Sequence, residues 1–346
     1  LTITLEPTIR DLPPYDTSPE ALTNAGYPTL EPKQPADWTI LVYYGGDNNL
    51  EGSLINDLKE FELVGTEDDN IHIVAFLDRS TDHSDVDGNW SGARLYEVTT
   101  TGTDELAIDS TELANLGEVN SADGLTLAQF LAWGIRHYPA EQYAIAFGSH
   151  GAGWAGIIAD DTNKSMISLP EIDQALKTAQ SEINEPFALV INDACLMSSV
   201  EYHVILSRYA LKSYASPEIV LDPALNMTDF TTDLEDVESL NEIGVKLVDR
   251  YIDIDVLLRE GSESIYMTNA VTTLTAIPDL ETAIDEFAKL IVSNPLRYSP
   301  TIGAARNNAY TYTAFSDSTT LIDLGSFMRQ VVALSDNTAL IDKAQA

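Results

Sequence analysis

The sequence predicts an α/β fold: a mostly parallel sheet with helices on both faces, which together form a three-layer sandwich. Two observations predict this fold. Apolar runs typical of strands buried on both sides recur along the chain, as WTILVYY, IHIVAFL, YAIAFGS and FALVIND. Stretches with helical periodicity separate these runs, and an alternation of strands with helices is the pattern of a parallel sheet.

The N-terminal region differs from the rest of the chain. Residues 1–37 contain prolines at irregular spacing and no sustained hydrophobic period, which predicts an extended arm or linker. Folding begins near Trp38. The 346-residue length allows one large α/β domain, so we expect residues 38–346 to form a single domain.

Two of the intervening helices can be predicted in detail. One apolar helical face in LTLAQFLAWGIRHY is formed by Leu127, Phe130, Leu131, Gly134, Ile135 and Tyr138. In SLPEIDQALKTA, Ser168 and Glu171 have the spacing of a capping box at a helix start. The apolar stripe that follows consists of Ile172, Ala175, Leu176 and Ala179.

Composition excludes several classes of partner. Hydrophobic residues make up 44% of the chain and charged residues 21%, as in globular proteins. No apolar stretch approaches the roughly 20 residues of a membrane helix, so no membrane span is expected. The net charge of −37 repels phosphate backbones, so nucleic acid is not an expected partner. The same charge attracts cations and basic peptides, although it also fits a solvated acidic coat.

Three predicted strands end in polar or glycine-rich sequence: YYGGDNNLEG, GSHGAGW and NDACLM. Functional groups in parallel sheets gather beyond the carboxyl ends of the strands, so these segments are expected to converge. The chain has no phosphate-binding glycine loop of either common type and no HExxH zinc motif. Nucleotide and metal-hydrolase functions are therefore disfavoured.

His150 and Cys195 lie at two of these strand ends. Cys195 is the single cysteine, so it forms no disulfide within the chain, and it is either a buried apolar residue or a nucleophile. A nucleophilic thiol needs a base or a helix N-terminus nearby, and we expect His150 and a following helix to provide these. The backbone amides of Gly151 and Cys195 are candidates for an oxyanion hole. Asp193 is a candidate cap for that helix.

Three segments carry a resemblance to a known family. WTILVYYGGDNNLEG, YPAEQYAIAFGSHGAGW and NDACLMSSVE, in this order, closely resemble the clostripain family of caspase-fold cysteine peptidases. The similarity extends from Trp38 to about Met328. It implies a caspase-like fold and an endopeptidase that cleaves after Arg or Lys. This chain has Ser149 where family members commonly carry Asp.

The resemblance also assigns site residues. It implies that His150 and Cys195 are the catalytic dyad and that Asp193 helps to bind a basic P1 side chain. A second acidic residue of that pocket is either Glu218 or Asp222. The alternative function is a non-catalytic binding module that keeps the caspase-like fold.

Relatives are activated by a cut in the loop between the catalytic residues, which here contains DDTNKSM. Lys164 is the only basic residue of this stretch, so the resemblance implies cleavage between Lys164 and Ser165. The alternative is that Lys164 only solvates an acidic loop. This polar stretch is predicted to be exposed.

The remaining expectations concern ligands, partners and location. Thiol chemistry requires no cofactor, while calcium is a candidate ligand because relatives depend on it and the chain is acidic. The expected partners are polypeptide substrates with basic residues, and the chain is expected to be a monomer. Because the sequence starts with Leu1 and lacks a targeting segment, we expect a trimmed extracellular or cell-envelope protein.

Overall fold

The structure is a computed structural model. It describes residues 13–64, 70–81, 83–98, 107–221, 225–236, 239–258, 268–312 and 321–346. The chain divides into two compact units, Leu1–Thr272 and Thr273–Ala346.

The centre of the first unit is a mostly parallel sheet, as predicted. In chain order the strands are β1 (Ala36–Gly46), β2 (Ile71–Arg79), β3 (Gly92–Glu97), β4 (Thr111–Gly117), β5 (Ala140–Gly148), β6 (Ile157–Asp160), β7 (Ser165–Ile167), β8 (Phe187–Asp193), β9 (Ala210–Ala215) and β10 (Ala270–Thr273). Within the described residues, an eight-stranded sheet has the order β10-β9-β8-β5-β1-β2-β3-β4. Neighbours from β9 to β2 are parallel, whereas β3 and β4 are antiparallel. Strands β6 and β7 form a separate hairpin.

Helices cover both faces of this sheet. They are α1 (Pro19–Asn24), α2 (Glu51–Val64), α3 (Gly124–His137), α4 (Leu169–Gln180), α5 (Val200–Leu206), α6 (Met227–Asp236) and α7 (Leu240–Leu258). Alternate residues of β1 point to opposite faces. Val42 and Tyr44 share a buried core with residues of α2, α6 and α7. On the other face, the Tyr43 ring lies 5.7 Å from the Phe130 ring of α3, and α3 contacts α4. The predicted three-layer arrangement is confirmed.

Local capping fixes the starts of the two helices predicted in detail. Asp123 precedes α3, and its carboxylate accepts a hydrogen bond from the Leu125 amide at 3.0 Å. Ser168 precedes α4, and its amide donates to the Glu171 carboxylate at 2.9 Å, so the predicted capping box is present. These bonds satisfy backbone groups that would otherwise lack a partner at a helix end.

The described part of residues 1–37 is packed on the sheet domain and includes α1. The Tyr15 amide donates to the Thr178 hydroxyl of α4 at 3.2 Å. The Trp133 indole of α3 donates to the Pro28 carbonyl at 2.8 Å. The predicted boundary at residue 37 therefore does not separate two structural units, because hydrogen bonds fix this segment to α3 and α4.

The second unit is mainly helical, so the predicted single domain over residues 38–346 is divided. It contains α8 (Ile277–Ser293), α9 (Pro295–Asn308), α10 (Leu324–Leu334), α11 (Thr338–Gln345) and a small hairpin of β11 (Thr311–Tyr312) and β12 (Leu321–Ile322). Its own buried cluster consists of Phe287, Tyr298, Ala305, Val331 and Leu340. Among the described helices of the whole chain, none combines the length and apolarity needed to span a membrane.

Candidate active site

The adjacent parallel strands β5 and β8 bring the segments of His150 and Cys195 together. Gly148 pairs in register with Asp193, and the Ser149 amide donates to the Asp193 carbonyl at 3.3 Å. The backbones remain in contact past the strand ends. A Cβ atom added to Gly151 would lie only 2.2 Å from the Cys195 carbonyl oxygen, so this close approach requires glycine.

The Cys195 sulfur lies against the segment after β9. The Val220 amide donates to Sγ at 3.4 Å. Burial raises the pKa of the Cys195 thiol above its ordinary value, and the nearby negative charges of Asp193 and Glu218 raise it further. The Val220 amide favours the thiolate but does not outweigh these effects. The Cys195 side chain is therefore a neutral thiol near pH 7.

His150 is oriented by a residue that sequence reasoning did not single out. Its Nε2 lies 2.8 Å from Oδ1 of Asn49, in the loop after β1. Because an amide oxygen only accepts, Nε2 carries the proton, and the lone pair of Nδ1 is left to act as a base. Burial lowers the pKa of His150, an effect that the charge of Asp161 partly opposes. The sequence feature that could have identified Asn49 is its position in DNNL, which follows the first strand at the edge where the other two segments converge.

The candidate oxyanion amide of Gly151 is not used by the local β-bridge. Gly151 faces Ile157 in an isolated antiparallel bridge. The two bonds across this bridge run from the Ala152 amide to the Gly156 carbonyl and from the Ile158 amide to the His150 carbonyl. The bridge thus fixes the position of Gly151 through the hydrogen bonds of its neighbours, and neither bond uses the Gly151 amide.

The helix expected directly after Cys195 starts later. Leu196 has a positive φ of 66°, and its amide donates to the Glu218 carbonyl at 3.0 Å. Helix α5 begins only at Val200, and the Ser199 hydroxyl caps it. The prediction of a helix N-terminus at Cys195 was wrong, because the left-handed backbone conformation of Leu196 prevents a helix from starting there. Asp193 is likewise not the cap of this helix.

The two described acidic candidates for the substrate pocket lie near Cys195. Asp193 ends β8 and is half-buried, and Glu218 is only 5% exposed. Both charges act on the Cys195 thiol, so both carboxylates lie near the sulfur. The other candidate, Asp222, lies outside the described residues.

Lys164 and Ser165 lie at the end of the β6–β7 hairpin turn. Of the stretch predicted to be exposed, residues 161–164 form an exposed turn. Asp160, however, is buried at the end of β6, and Ser165 is the first residue of β7, because the stretch closes a hairpin. Lys164 has a positive φ of 53°, which non-glycine residues rarely adopt. The bond between them therefore sits in a tight hairpin.

Ser149, which replaces the family's common Asp, is buried and links three segments. Its hydroxyl donates to the Gly45 carbonyl at 2.7 Å. It accepts from the Asn48 side chain and from the Ala159 amide, each at 3.2 Å. The serine therefore joins the ends of β1 and β5 to β6, next to His150.

One group of side chains in the described part of the chain has the composition of a metal site. Asp47, Asp78 and Asp160 are buried, and one carboxylate oxygen from each lies within 4.8 Å of the others. These three residues were not predicted from the sequence.

Comparisons with known proteins agree with this architecture. The sequence model of the clostripain family, peptidase family C11, matches residues 42–345. Clostripain from Hathewaya histolytica is 28% identical over 186 residues, which are 47% of this chain and 34% of that protein. The matched region thus spans about a third of the length of this curated relative.

Solved structures show the same fold. A secreted C11 cysteine protease from Bacteroides thetaiotaomicron, in complex with an irreversible peptide inhibitor, superposes with a TM-score of 0.64 at 19% identity, covering 90% of this chain and 81% of that chain. An inactive zymogen C11 protease from Parabacteroides distasonis gives a TM-score of 0.64 at 17% identity, with the same two coverages. The caspase-like fold is confirmed. With a family match over residues 42–345, the chain belongs to the clostripain family.

Proposed function

We propose that this chain is a cysteine endopeptidase that cleaves after Arg or Lys, with Cys195 as nucleophile and His150 as base and then acid. One observation carries the proposal. The register pair Gly148–Asp193 holds the two residues on neighbouring strand ends, where the sheet fixes both segments. Membership of the clostripain family supports the same chemistry.

Acylation begins from a neutral pair, because burial raises the pKa of Cys195 and lowers that of His150. Nδ1 of His150 removes the thiol proton as sulfur attacks the substrate carbonyl carbon. The resulting oxyanion accepts hydrogen bonds from the amides of Gly151 and Cys195. The intermediate then collapses: the carbon–nitrogen bond breaks, and the imidazolium gives its proton to the leaving amine. The acyl group remains on Cys195 as a thioester.

In deacylation, His150 again acts first as a base and then as an acid, now toward water and the Cys195 sulfur. A water molecule loses a proton to His150 and attacks the thioester carbonyl carbon. The carbon–sulfur bond then breaks, the proton returns to the sulfur, and the carboxylic acid product leaves. Asn49 acts as a positioning residue throughout, since its side chain holds Nε2 of His150 at 2.8 Å.

The acidic residues beside the nucleophile favour a cationic P1 side chain. Asp193 and Glu218 are both close enough to raise the pKa of Cys195. A Lys or Arg side chain between them would pair with two carboxylates in a partly desolvated pocket. Glu218 is thus our choice for the second pocket residue among those described.

Self-processing between Lys164 and Ser165 is part of the proposal. Lys164 is exposed and supplies the basic residue that such an enzyme selects. A protease binds its substrate extended, so the hairpin turn must open before the bond can be cut. The cut segments would remain associated, because β6 and β7 precede and follow the bond in one hairpin.

The proposed partners are polypeptides with basic residues, acted on by a monomer outside the cell or in its envelope. A secreted relative with the same fold supports this location. The thiol chemistry needs no cofactor. The acidic net charge of −37 attracts cationic peptides, which favours encounter with such substrates.

Activity-based labelling tests the proposal against the alternative of a non-catalytic binding module. Wild-type protein, Cys195→Ala and His150→Ala would be treated with a peptidyl thiol probe carrying Lys at P1 and assayed on fluorogenic peptides. Labelling and cleavage by wild type, both lost in Cys195→Ala and strongly reduced in His150→Ala, support the enzyme. Equal and slow labelling of wild type and His150→Ala, without cleavage, would support the binding module.

A further inference from the structure

An exposed tryptophan follows His150 on the same loop. Trp154 ends the segment GSHGAGW, and it is 55% exposed. The other three tryptophans of the chain, Trp38, Trp90 and Trp133, also lie in the described ranges and are buried or half-buried. A single exposed apolar side chain is common on protein surfaces, so exposure alone assigns no role to Trp154. Its place beside the candidate active site does.

Hydrogen bonds across the loop hold the backbone of Trp154 in place. The Ile158 amide donates to the His150 carbonyl at 3.0 Å, and the Ala152 amide donates to the Gly156 carbonyl at 2.9 Å. Between these bonds, Trp154 is the middle residue of a short 3₁₀ turn. An aromatic side chain on a fixed backbone has only two rotatable bonds to immobilise, so it can bind a partner at a small cost in conformational entropy.

The same loop lies against the segment that carries the proposed nucleophile. Gly151 approaches the Cys195 carbonyl so closely that a Cβ atom would lie 2.2 Å from its oxygen. The 3₁₀ turn of Trp154 also contacts α5, the helix that follows Cys195 in the chain. Two contacts therefore fix the loop of Trp154 relative to the sulfur-bearing segment, so a substrate held at Cys195 lies next to this loop.

Strand order indicates which part of a substrate meets this loop. The order across the sheet is β9-β8-β5-β1. Asp193 and Glu218 follow β8 and β9, whereas His150 and its loop follow β5, on the other side of β8. In the proposed reaction, His150 gives its proton to the leaving amine, which is the backbone nitrogen of the first residue after the scissile bond. The leaving segment therefore lies toward the loop of Trp154, and P1 lies toward β9.

We propose that Trp154 is a specificity-determining residue that binds an apolar side chain at P1′ or P2′, the first two positions after the scissile bond. This inference rests on the proposed peptidase function and extends it to the leaving segment. The indole offers a large apolar surface, which suits aliphatic and aromatic side chains. The proposed self-processing bond supplies one such segment, because Ser165 is followed by the apolar Met166 and Ile167.

The first test compares two quenched fluorescent peptides that share one sequence up to a P1 lysine and continue with Leu-Leu or Ala-Ala. Wild type should cleave the Leu-Leu peptide with a kcat/KM about three- to tenfold higher, because a leucine packed on the ring removes apolar surface from water. Trp154→Ala should bring this ratio close to unity, and Trp154→Phe should keep part of it. The matched control is Leu63→Ala, which removes an exposed apolar side chain near the end of α2 and should keep the wild-type ratio.

A methyl ester of the same P1-lysine peptide separates failure of this subsite from failure of the proposed function. Its leaving group is methanol, so it has no P1′ residue that could contact Trp154. If wild type hydrolyses neither the ester nor the peptides, the proposed function is refuted and this inference with it. Hydrolysis of the ester together with equal cleavage of the two peptides, or an unchanged ratio in Trp154→Ala, would overturn the subsite alone.

Aminolysis of the thioester tests the subsite in wild type alone, in case Trp154→Ala fails to fold. During ester hydrolysis, added Leu-Leu amide competes with water for the acyl group on Cys195. Its amino nitrogen attacks the thioester carbon and loses a proton to His150, the carbon–sulfur bond breaks, and the proton passes to the sulfur. Leu-Leu amide should give severalfold more ligated peptide than Ala-Ala amide at equal concentration. Equal yields from the two amides would contradict the assignment.

Discussion

His150 and Cys195 stand equally far, two residues, beyond the register pair Gly148–Asp193 that joins β5 to β8. Their positions are therefore fixed by a parallel ladder in the core of the sheet. The close contact between the backbones of Gly151 and Cys195 continues this pairing into the loops.

Substrate selectivity should depend on Asp193 and Glu218. A charge-assisted hydrogen bond contributes about 1.5 to 3 kcal/mol, so Asp193→Asn should reduce kcat/KM for P1 Arg or Lys peptides roughly ten- to over a hundredfold. Glu218→Gln should act in the same direction. Fluorogenic peptides that differ only at P1 measure this. Wild-type cleavage after Leu or Asp as efficient as after Arg would refute the pocket assignment.

Alkylation of Cys195 should respond to pH and to the neighbouring charge. Because the pKa of the thiol lies above its ordinary value of 9.0, the rate with neutral iodoacetamide should still be rising at pH 9. Asp193→Asn removes a negative charge beside the sulfur, so the pKa should fall and labelling at pH 8 should accelerate. A plateau below pH 8 in wild type, or no acceleration in the variant, would contradict this account.

Asn49→Ala should lower kcat with little change in KM. The variant loses the acceptor for Nε2 of His150, so the imidazole is no longer held with Nδ1 as the base. We expect kcat to fall about ten- to a hundredfold. This is only a part of the roughly 10²- to 10⁴-fold that a positioned general base contributes to the rate, because the imidazole itself remains. Steady-state kinetics on a P1 Lys peptide measure this, and Asn49→Asp, which keeps an acceptor, should recover part of kcat. Unchanged kcat in Asn49→Ala would remove Asn49 from the mechanism.

Gly151→Ala should abolish most activity, because the new Cβ would lie 2.2 Å from the Cys195 carbonyl oxygen and the backbones must separate. The matched control is Gly303→Ala in α9, where a Cβ meets nothing within 4 Å. That substitution should stabilise the protein by about 0.5 to 1 kcal/mol, through helix propensity alone. Peptide cleavage and thermal melts report both effects. Full activity in Gly151→Ala would show that the contact is not needed.

Self-processing should be visible by mass spectrometry. Active wild type is expected to yield a fragment that ends at Lys164 and another that starts at Ser165, and Cys195→Ala and Lys164→Ala should remain intact at this bond. The control is Lys177→Ala, which changes a lysine of α4 and should be cut normally. An intact chain in fully active wild type, or the same cut in Cys195→Ala, would refute self-processing.

The sequence determined features that depend on local pattern. Strand runs, the apolar face of α3 and the Ser168–Glu171 capping box were readable because side-chain periodicity and caps act over a few residues. The convergence of His150 and Cys195 was also predictable, since parallel strands end at one edge of a sheet. The hydrogen bonds that attach residues 13–37 to α3 and α4 were not predictable, because irregular sequence gives no local sign of them.

Only the tertiary structure decided which distant residues meet at that edge. Asn49 and His150 are 101 positions apart, and their contact depends on the register and twist of β1 and β5. The cluster of Asp47, Asp78 and Asp160 forms only when three chain segments meet in the fold. In the sequence, each of these residues is simply one more aspartate in an acidic protein. The left-handed turn at Leu196 likewise follows from its bond to Glu218 rather than from residue preference. Such contacts are set by how the layers pack, and a linear pattern does not encode that geometry.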